Sequence, residues 1–566
     1  MSEYSKNISI KRLVSWLWSN SKGARGQAIA NIVIGLIDVA CQLTWVIACK
    51  HAIDIATGVA EGSLMKTGIV IGALMVAEII LRAMSRWIHA VTGNKIRNRL
   101  RLQIFTRLMR CDWLHLYKRH TGDLVNRLEG DVNNITTLVT AVFPATVVVF
   151  IQLLASFGLL FYMNPVLALS VVTVLPICIL ASRFYIRKMR KFNRDVRDSD
   201  SNIQSILQES LQRKEVIKAM EHNSSTEQQL NELQGKLHEQ VSRRTRFSIG
   251  SYTLIQAGFA VGYIIAFMWG VCGLRDAVIT YGTMAAYLQL VGLIQNPTMD
   301  LSKYIPGIAS ALTAIERIYE LEDIPLEEQG DNTMFDGTAG VRFNNVTFSY
   351  EETSRKILHD FSYDFPPESI TAIVGETGAG KTTLLRLLIA LMSPREGSIE
   401  LYNDKEQHKA STSTRGNIVY IPQGNSLISG TIRENLLMGN PEATEEQMIE
   451  ALHTACADYV QELPDGLDSL VTEGGGGMSE GQAQRISIAR SLLRPGSIMI
   501  FDESTSALDE DTEQELLNRL TTQKTGRTLI FVTHRPAVIK HCTQILRIER
   551  TKAGLSLKKT MNRIAL

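Results

Sequence analysis

Six stretches of mostly apolar residues, at 28–50, 66–89, 138–163, 165–187, 249–273 and 277–300, mark the first half of the chain. Each has about 20 residues or more, enough at 1.5 Å per residue to cross the roughly 30 Å hydrocarbon core of a bilayer. The third, LVTAVFPATVVVFIQLLASFGLLFYM, is the most continuous. Only Asn164 and Pro165 part it from the fourth, which predicts a tight hairpin. Gln289, Gln295 and Asn296 interrupt the sixth. That pattern suits a helix facing a wet cavity and equally a blurred boundary. Ahead of the first stretch, residues 8–18 (ISIKRLVSWLW) lack a small-residue cleavage site. They predict an amphipathic helix at the membrane interface, anchored by Trp16 and Trp18, with a helix docked on the fold as the alternative.

The connections alternate in length and charge. The first, 54–65, is short and carries Asp54 and Glu61 without Lys or Arg. The second, 90–137, contains Lys95, Arg97, Arg99, Arg101, Arg107, Arg110, Lys118, Arg119 and Arg127, and the fourth, 188–248, is also long and basic. The positive-inside rule places both in the cytoplasm, together with the two termini. Ile203, Ile206, Leu207 and Leu211 form a helical stripe in the fourth connection, so the membrane helices are expected to continue beyond the bilayer as paired helices. Asp38 and Glu78 fall inside the first and second spans, where ionisable groups usually face a cavity or a partner. Glu78 has Arg82 four residues on as a ready partner; Asp38 has none nearby in sequence and is the stronger cavity candidate.

After Leu321 the pattern changes. An acidic stretch, EDIPLEEQGDNTMFDGTAG (322–340), reads as a linker. Beyond it short β-branched runs alternate with helical patterns, the mark of an α/β domain. The strand 369–374 (SITAIV) runs into Gly375, Glu376, Thr377, Gly378, Ala379, Gly380, Lys381, Thr382 and Thr383 and then a helical run. This is G-x-x-x-x-G-K-[ST] in the strand–loop–helix context that gives it meaning. In such a loop backbone N–H groups wrap phosphate oxygens and the helix start adds its positive dipole end; Lys381 is expected to reach the β- and γ-phosphates and Thr382 to hold Mg²⁺. A second apolar strand, 497–501, ends in Asp502 and Glu503. Such a pair can hold Mg²⁺ and polarise a water. A third, 528–532, ends at Thr533 and His534, whose ring is expected to face the γ-phosphate.

Composition narrows the class. The 566 residues are 20% charged and 45% hydrophobic, which excludes wholesale disorder. Lys+Arg 59 against Asp+Glu 57 gives +2, so no basic field argues for nucleic acid. Seven cysteines without a C-x-x-C pair argue against a disulfide scaffold or zinc ribbon.

With these motifs the chain resembles the ATP-binding cassette (ABC) transporters, specifically exporters that fuse six membrane helices to one nucleotide-binding domain. The deciding stretch is Met478, Ser479, Glu480, Gly481 and Gln482, followed by Ala483, Gln484 and Arg485. It resembles the family signature L-S-G-G-Q-x-Q-R and lies shortly before the acidic strand. Further matches are single residues. Tyr350 resembles the aromatic residue that stacks on adenine, with a core tyrosine as the alternative. Gln423, in YIPQ, resembles the glutamine that contacts Mg²⁺ and the attacking water. Glu503 resembles the catalytic base and His534 the switch histidine. Ser506 to Asp509 resembles the loop that crosses to the partner domain. Glu473 looks like the exporter loop that touches the membrane domain, while 121–132 and 215–220 are similar to segments beside the two coupling helices.

The resemblance implies a multidomain membrane protein. An all-α, six-helix transmembrane domain (1–325) with long cytoplasmic helix extensions leads through a linker (326–340) to an α/β P-loop ATPase domain with a helical subdomain (341–566). The signature of one chain covers the ATP of another, so a dimer holding two ATP molecules and Mg²⁺ is implied. A homodimer comes first and a heterodimer second. Alternating access would export a hydrophobic or amphipathic substrate, whether drug, lipid or mature peptide, from a bacterial inner membrane. A regulatory ATPase or ATP-gated channel is the alternative from another class. A peptide-processing exporter is disfavoured, because too few residues precede the first span for a protease domain. Two departures stand out: Met478 replaces leucine, and Glu480 replaces the first signature glycine, bringing a carboxylate near a γ-phosphate. The run 474–477 also lacks an acidic residue in its middle.

Overall fold

The computed structural model describes residues 16, 19, 25–119, 121–172, 174–328, 330–351, 356–376, 378–472, 477–522, 526–551 and 554–560. The chain divides into two compact units: 1–105 with 124–320, and 106–123 with 321–566. Among the described residues from 25 to 322, the helices are α1 (Arg25–Ala56), α2 (Leu64–Met109), α3 (Trp113–Tyr117), α4 (Thr121–Met163), α5 (Pro165–Val172), α6 (Val174–Gln212), α7 (Lys214–Ala219), α8 (Asn223–Arg275) and α9 (Tyr281–Glu322).

Among the described residues, α1, α2, α4 and α8 carry stretches long and apolar enough to cross a membrane. The fourth expected span lies across α5 and α6, and the sixth within α9. The sixth starts at Tyr281 rather than 277, because Ala277 takes φ +55° and ends the run of α8. The interfacial helix expected at 8–18 lies outside the described residues except for Trp16, which is buried. In α2, Ile69, Val76, Ile79, Ile80 and Met84 are all exposed, an outward face suited to lipid. Inside, Val46, Leu160, Leu167, Ala266, Tyr287, Leu290 and Ile294 form a core from five helices. Gly35 permits close packing of α1 on α4, since a Cβ there would meet Val148 at 2.5 Å. The π turn Leu138–Val142 in α4 comes just before Pro144, where the missing N–H removes one rung of the ladder.

Helices α6 and α8 pair beyond the spans, with Phe192 edge-on to Phe247 at 5.6 Å. The stripe at 203–211 is covered only at its start. Ile203 is buried, whereas Leu207 and Leu211 are exposed. Two further expectations change. Gln295 donates to the Phe259 carbonyl at 3.0 Å, so this polar residue of the sixth span bonds α9 to α8. Asp38 is not without a partner: it accepts from Gln42 at 2.9 Å and lies 3.9 Å from Arg82, which also pairs with Glu78. Gln152 extends this polar thread to α4 through Gln42, at 3.1 Å.

In the second unit, strands β1 (Gly340–Phe348), β2 (Leu358–Phe365), β3 (Ile370–Gly375), β4 (Glu396–Tyr402), β5 (Gln407–Lys409) and β6 (Ile418–Ile421) come first. The two-residue strands β7 (Gly430–Thr431) and β8 (Leu470–Val471) pair with each other, and β9 (Ile498–Asp502), β10 (Thr528–Val532), β11 (Gln544–Thr551) and β12 (Gly554–Thr560) complete the set. Ten of these form one sheet in the order β5-β4-β1-β2-β12-β11-β3-β10-β9-β6. The segment β11-β3-β10-β9-β6 is parallel throughout. Parallel strands need both faces covered, and the residues alternate accordingly. Ile498, Ile500, Ile530 and Val532 join one core, with Leu384, Leu385 and Leu388 of the helix after the phosphate loop. Met499, Phe501, Leu529 and Phe531 join the other, with Ile486, Leu516 and Leu517. Phe501 and Phe531 stack there at 4.5 Å.

The stretch 322–340 is held on this unit. Arg415 grips Glu327 with two bonds of 3.1 Å, and Phe335 is buried. The segment 106–123 joins it: the Asp112 N–H donates to the Pro325 carbonyl and the Glu327 N–H to that of Arg110, both at 2.9 Å.

Candidate active site

Four neighbouring parallel strands, β6, β9, β10 and β3, end on one edge of the sheet, and the segments leaving those ends converge. β3 leads into the phosphate loop. Gly378 and Gly380 take φ of +80° and +90°, a region glycine enters without steric cost. At Gly375 a Cβ would lie 2.5 Å from the Ile548 carbonyl oxygen. Lys381 opens helix α10 (Lys381–Leu388) and is buried. Its ammonium donates to the Gly375 carbonyl at 2.7 Å and lies 2.5 Å from His534 Nε2 and 3.7 Å from Glu503 Oε1.

Glu503 departs from β9 in the left-handed region, φ +48°. For a residue with a Cβ this costs on the order of 1 kcal/mol. Its N–H donates to the Val532 carbonyl at 3.0 Å, tying the turn to β10. Its carboxylate accepts from Gln423 Nε2 at 3.0 Å and lies 3.9 Å from His534. Asp502, just inside the strand, is buried and accepts from the Tyr420 hydroxyl at 2.9 Å. Burial raises the Asp502 carboxyl above its ordinary value; the Tyr420 bond and the charges of Lys381 and Arg386 act against the rise.

The oxygen donors here fit a hard cation that takes its remaining ligands from phosphate and water. Thr382 is exposed beside the loop. Gln423 commits its amide nitrogen to Glu503, leaving Oε1, and Asp502 has one oxygen not engaged by Tyr420. Among the described residues no group of three or more His, Cys, Asp or Glu could hold a metal by itself.

Other expected residues lie apart from this cluster. Tyr350 is half-buried, edge-on to Phe348 at 5.3 Å. Its hydroxyl is 3.1 Å from Thr383 Oγ1 and accepts from Arg386 at 3.3 Å. Further along the chain come helices α11 (Ile432–Leu437), α12 (Glu445–Thr454) and α13 (Glu480–Leu492), the last capped by Ser479. Ser479 Oγ accepts from the Gln482 N–H at 3.2 Å, and Gln482 Oε1 accepts from the Ser479 N–H at 3.0 Å. This reciprocal pair satisfies two otherwise open donors. Glu480 is exposed on the first turn. Gly481 backs onto the loop before Asp509, since a Cβ there would lie 2.8 Å from the Ala507 carbonyl oxygen. Asp509 accepts from the Thr512 N–H at 3.0 Å, and that bond lowers its carboxyl below the ordinary value. Among the described residues no hydrogen bond or ion pair joins Ser479, Gly481, Gln482 or Asp509 to the Lys381 group. Glu376 and Gly378 are exposed and Ala379 is buried; Thr377 and Glu473 lie outside the described residues.

Sequence reasoning missed Tyr420, Arg386, Trp113 and Tyr117. Tyr420 stands three residues before Gln423 in the same motif. Arg386 is the one cation in an otherwise leucine-rich stretch of helix, and Trp113 and Tyr117 are spaced i,i+4.

A phosphate loop opening a helix, with two acids at the end of a neighbouring parallel strand, defines a P-loop ATPase. Here it shares a chain with helices long and apolar enough to span a bilayer. The family follows from the comparisons. The family model of the ABC transporter transmembrane region matches residues 28–298 and that of the ABC transporter matches 358–506, so the chain belongs to the ABC transporters. It is similar to an ATP-dependent lipid A-core flippase of Desulfotalea psychrophila, 29% identical over 81% of each chain. It is also similar to an uncharacterized ABC transporter ATP-binding protein of Bacillus subtilis, 28% identical over 81% of this chain and 77% of that one. Its fold matches a bacterial Atm1-family ABC exporter with ATP bound, at TM-score 0.80 and 23% identity, covering 93% of this chain and 94% of the other. The protein is a multi-pass membrane ATPase of the exporter type, its ATP hydrolysis coupled to transport. Such half-transporter folds generally work as dimers.

Proposed function

We propose that two copies of this chain form a homodimeric exporter of hydrophobic or amphipathic substrates, with each ATP shared between the phosphate loop of one copy and the signature of the other. The observation that carries the reading is the meeting of Lys381, Glu503, His534 and Gln423 at the ends of four parallel strands. In this reading Glu503 takes a proton from the attacking water, and Gln423 orients that water. Phosphate oxygens compete with Glu503 and His534 for the Lys381 ammonium. Seating ATP therefore frees the base that Lys381 otherwise neutralises. Tyr350 offers its ring to adenine, and the backbone of 375–380 wraps the phosphates with Thr382 and Thr383 at the helix start. Mg²⁺, held by Thr382, Asp502 and Gln423, would neutralise phosphate charge. Ser479, Gly481 and Gln482 would close over the partner's ATP, with Asp509 in the crossing loop.

The membrane domain ends near 325 and the ATP-binding domain begins near 341, joined by 326–340. The basic second and fourth connections support a cytoplasmic place for both termini and the ATPase in a plasma or inner membrane. The resemblance to a named lipid A-core flippase supports lipid-like cargo within the amphipathic class. The test is Glu503→Gln in purified protein in lipid. Turnover is expected to fall by roughly 10³-fold or more while ATP stays bound. Normal steady-state hydrolysis in that variant would reject Glu503 as the base.

A further inference from the structure

We propose that Asp38 and Glu78 hold the ammonium group of the transported substrate, which narrows the amphipathic class to cations that carry an N–H; this rests on the reading of the chain as an exporter of amphipathic substrates. Both acids sit near the middle of their expected spans, 28–50 and 66–89. At that depth an ionised side chain is costly unless its charge is answered. One guanidinium serves the two. Arg82 donates to Glu78 Oε1, and its Nε lies 3.9 Å from Asp38 Oδ2. Among the described residues no other cation pairs with either acid, Arg86 one turn further along α2 included. With both carboxylates ionised the group carries one surplus negative charge. It is open on the Arg82 side, where that side chain is 59% exposed.

The same group leaves acceptors open. Gln152 of α4 donates to Gln42, which in turn donates to Asp38 Oδ2 at 2.9 Å. This amide chain holds one side of the Asp38 carboxylate. Its other oxygen, Oδ1, is buried and accepts no hydrogen bond. Among the described residues Glu78 Oε2 accepts none either. Asp54, buried further along α1, is balanced by contrast: Lys50 donates to it at 2.8 Å and the Gly282 N–H at 3.2 Å. Arg433 and Arg519 also serve two carboxylates each, but those acids are exposed to water, which screens the surplus. A monocation with an N–H would cancel the charge at Asp38 and Glu78 and fill the open acceptors at once. A quaternary ammonium would do only the first, and an anionic headgroup would be repelled. A hard divalent ion takes six or more oxygens, more than two carboxylates supply.

The experiment uses full-length protein in lipid without nucleotide. The probes are dansylcadaverine, a primary ammonium on an apolar ring system, its neutral N-acetyl derivative and its trimethylammonium analogue. Binding is read as dansyl emission above that of protein-free liposomes. The amine is expected to bind at least about threefold more tightly than the quaternary analogue. Asp38→Asn and Glu78→Gln should each weaken the amine about tenfold and move the acetylated probe less than about twofold. Asp38→Glu should restore part of the loss, and Arg82→Gln, which removes the competing cation, should tighten the amine about threefold. Unchanged amine affinity in Asp38→Asn and Glu78→Gln, an equal loss for the acetylated probe, a loss in Arg82→Gln, or no amine binding by the parent each overturns the proposal. If Asp38→Asn does not fold, Glu78→Gln and Arg82→Gln are judged by the same criteria. ATP-driven uptake into inverted vesicles, taken relative to Glu503→Gln, separates this site from the reading it rests on. Amine uptake unaltered in Asp38→Asn rejects the site and leaves the exporter, whereas amine binding without uptake of any probe rejects the exporter.

Discussion

The phosphate-loop group and the signature helix are built in opposite ways. Around Lys381 the charges answer one another within one chain: a buried ammonium, the Glu503 carboxylate and an imidazole lie within 4 Å contacts of each other. At Ser479 the polar atoms are satisfied only by a helix cap, and Glu480 faces outward from the first turn. The first group has the means for chemistry and holds it neutralised. The second is a capped helix start that, among the described residues, has no hydrogen bond or ion pair to the first. In the proposed reading the second group serves the ATP of another copy.

Three substitutions probe that contrast. Lys381→Ala should have the largest effect, lowering ATP turnover by roughly 10²- to 10³-fold, as measured by phosphate release; retention of more than half the activity would break the contrast. Glu480→Gly should act in the other direction. Removing a carboxylate from a helix start that faces a phosphate is expected to raise turnover or ATP affinity about 2- to 5-fold, and a fall would show that Glu480 contributes a favourable contact. The smallest effect is on stability. Burial holds the Asp502 carboxyl above its ordinary 3.8, so folding favours the protonated form. That contribution is complete below the ordinary value and lost as pH rises through the raised one. At neutral pH the ionised group is therefore a cost. Asp502→Asn should raise Tm at pH 7. The gain should vanish below about pH 4, and scanning calorimetry at both pH values would show it.

Legibility in the sequence followed the range of the interactions. The phosphate loop could be read because a strand, two positive-φ glycines and a helix lie within about ten positions. The convergence of Gln423, Glu503 and His534 required the order of β6, β9, β10 and β3, which no local pattern contains. The left-handed turn at Glu503 carries no glycine to announce it. In the membrane unit, apolar length showed where helices run, yet not which face packs inward. Asp38 therefore seemed unpartnered, although Arg82 of another helix lies 3.9 Å away. Arg386 was invisible for a related reason: its aromatic neighbours at 113 and 117 lie far upstream, in another segment of the chain.

Helix α8 runs unbroken for 53 residues, and roughly half of it lies before the span that begins near 249. At 1.5 Å per residue that overhang is about 39 Å, longer than the bilayer core is thick. Braced by α6, it is a mechanical arm. A tilt of about 5° within the membrane would move the far end roughly 3 Å, the scale of a hydrogen bond made or lost. Small forces at that end therefore become torques on the span, and softening the arm, not only altering its tip, would waste the stroke.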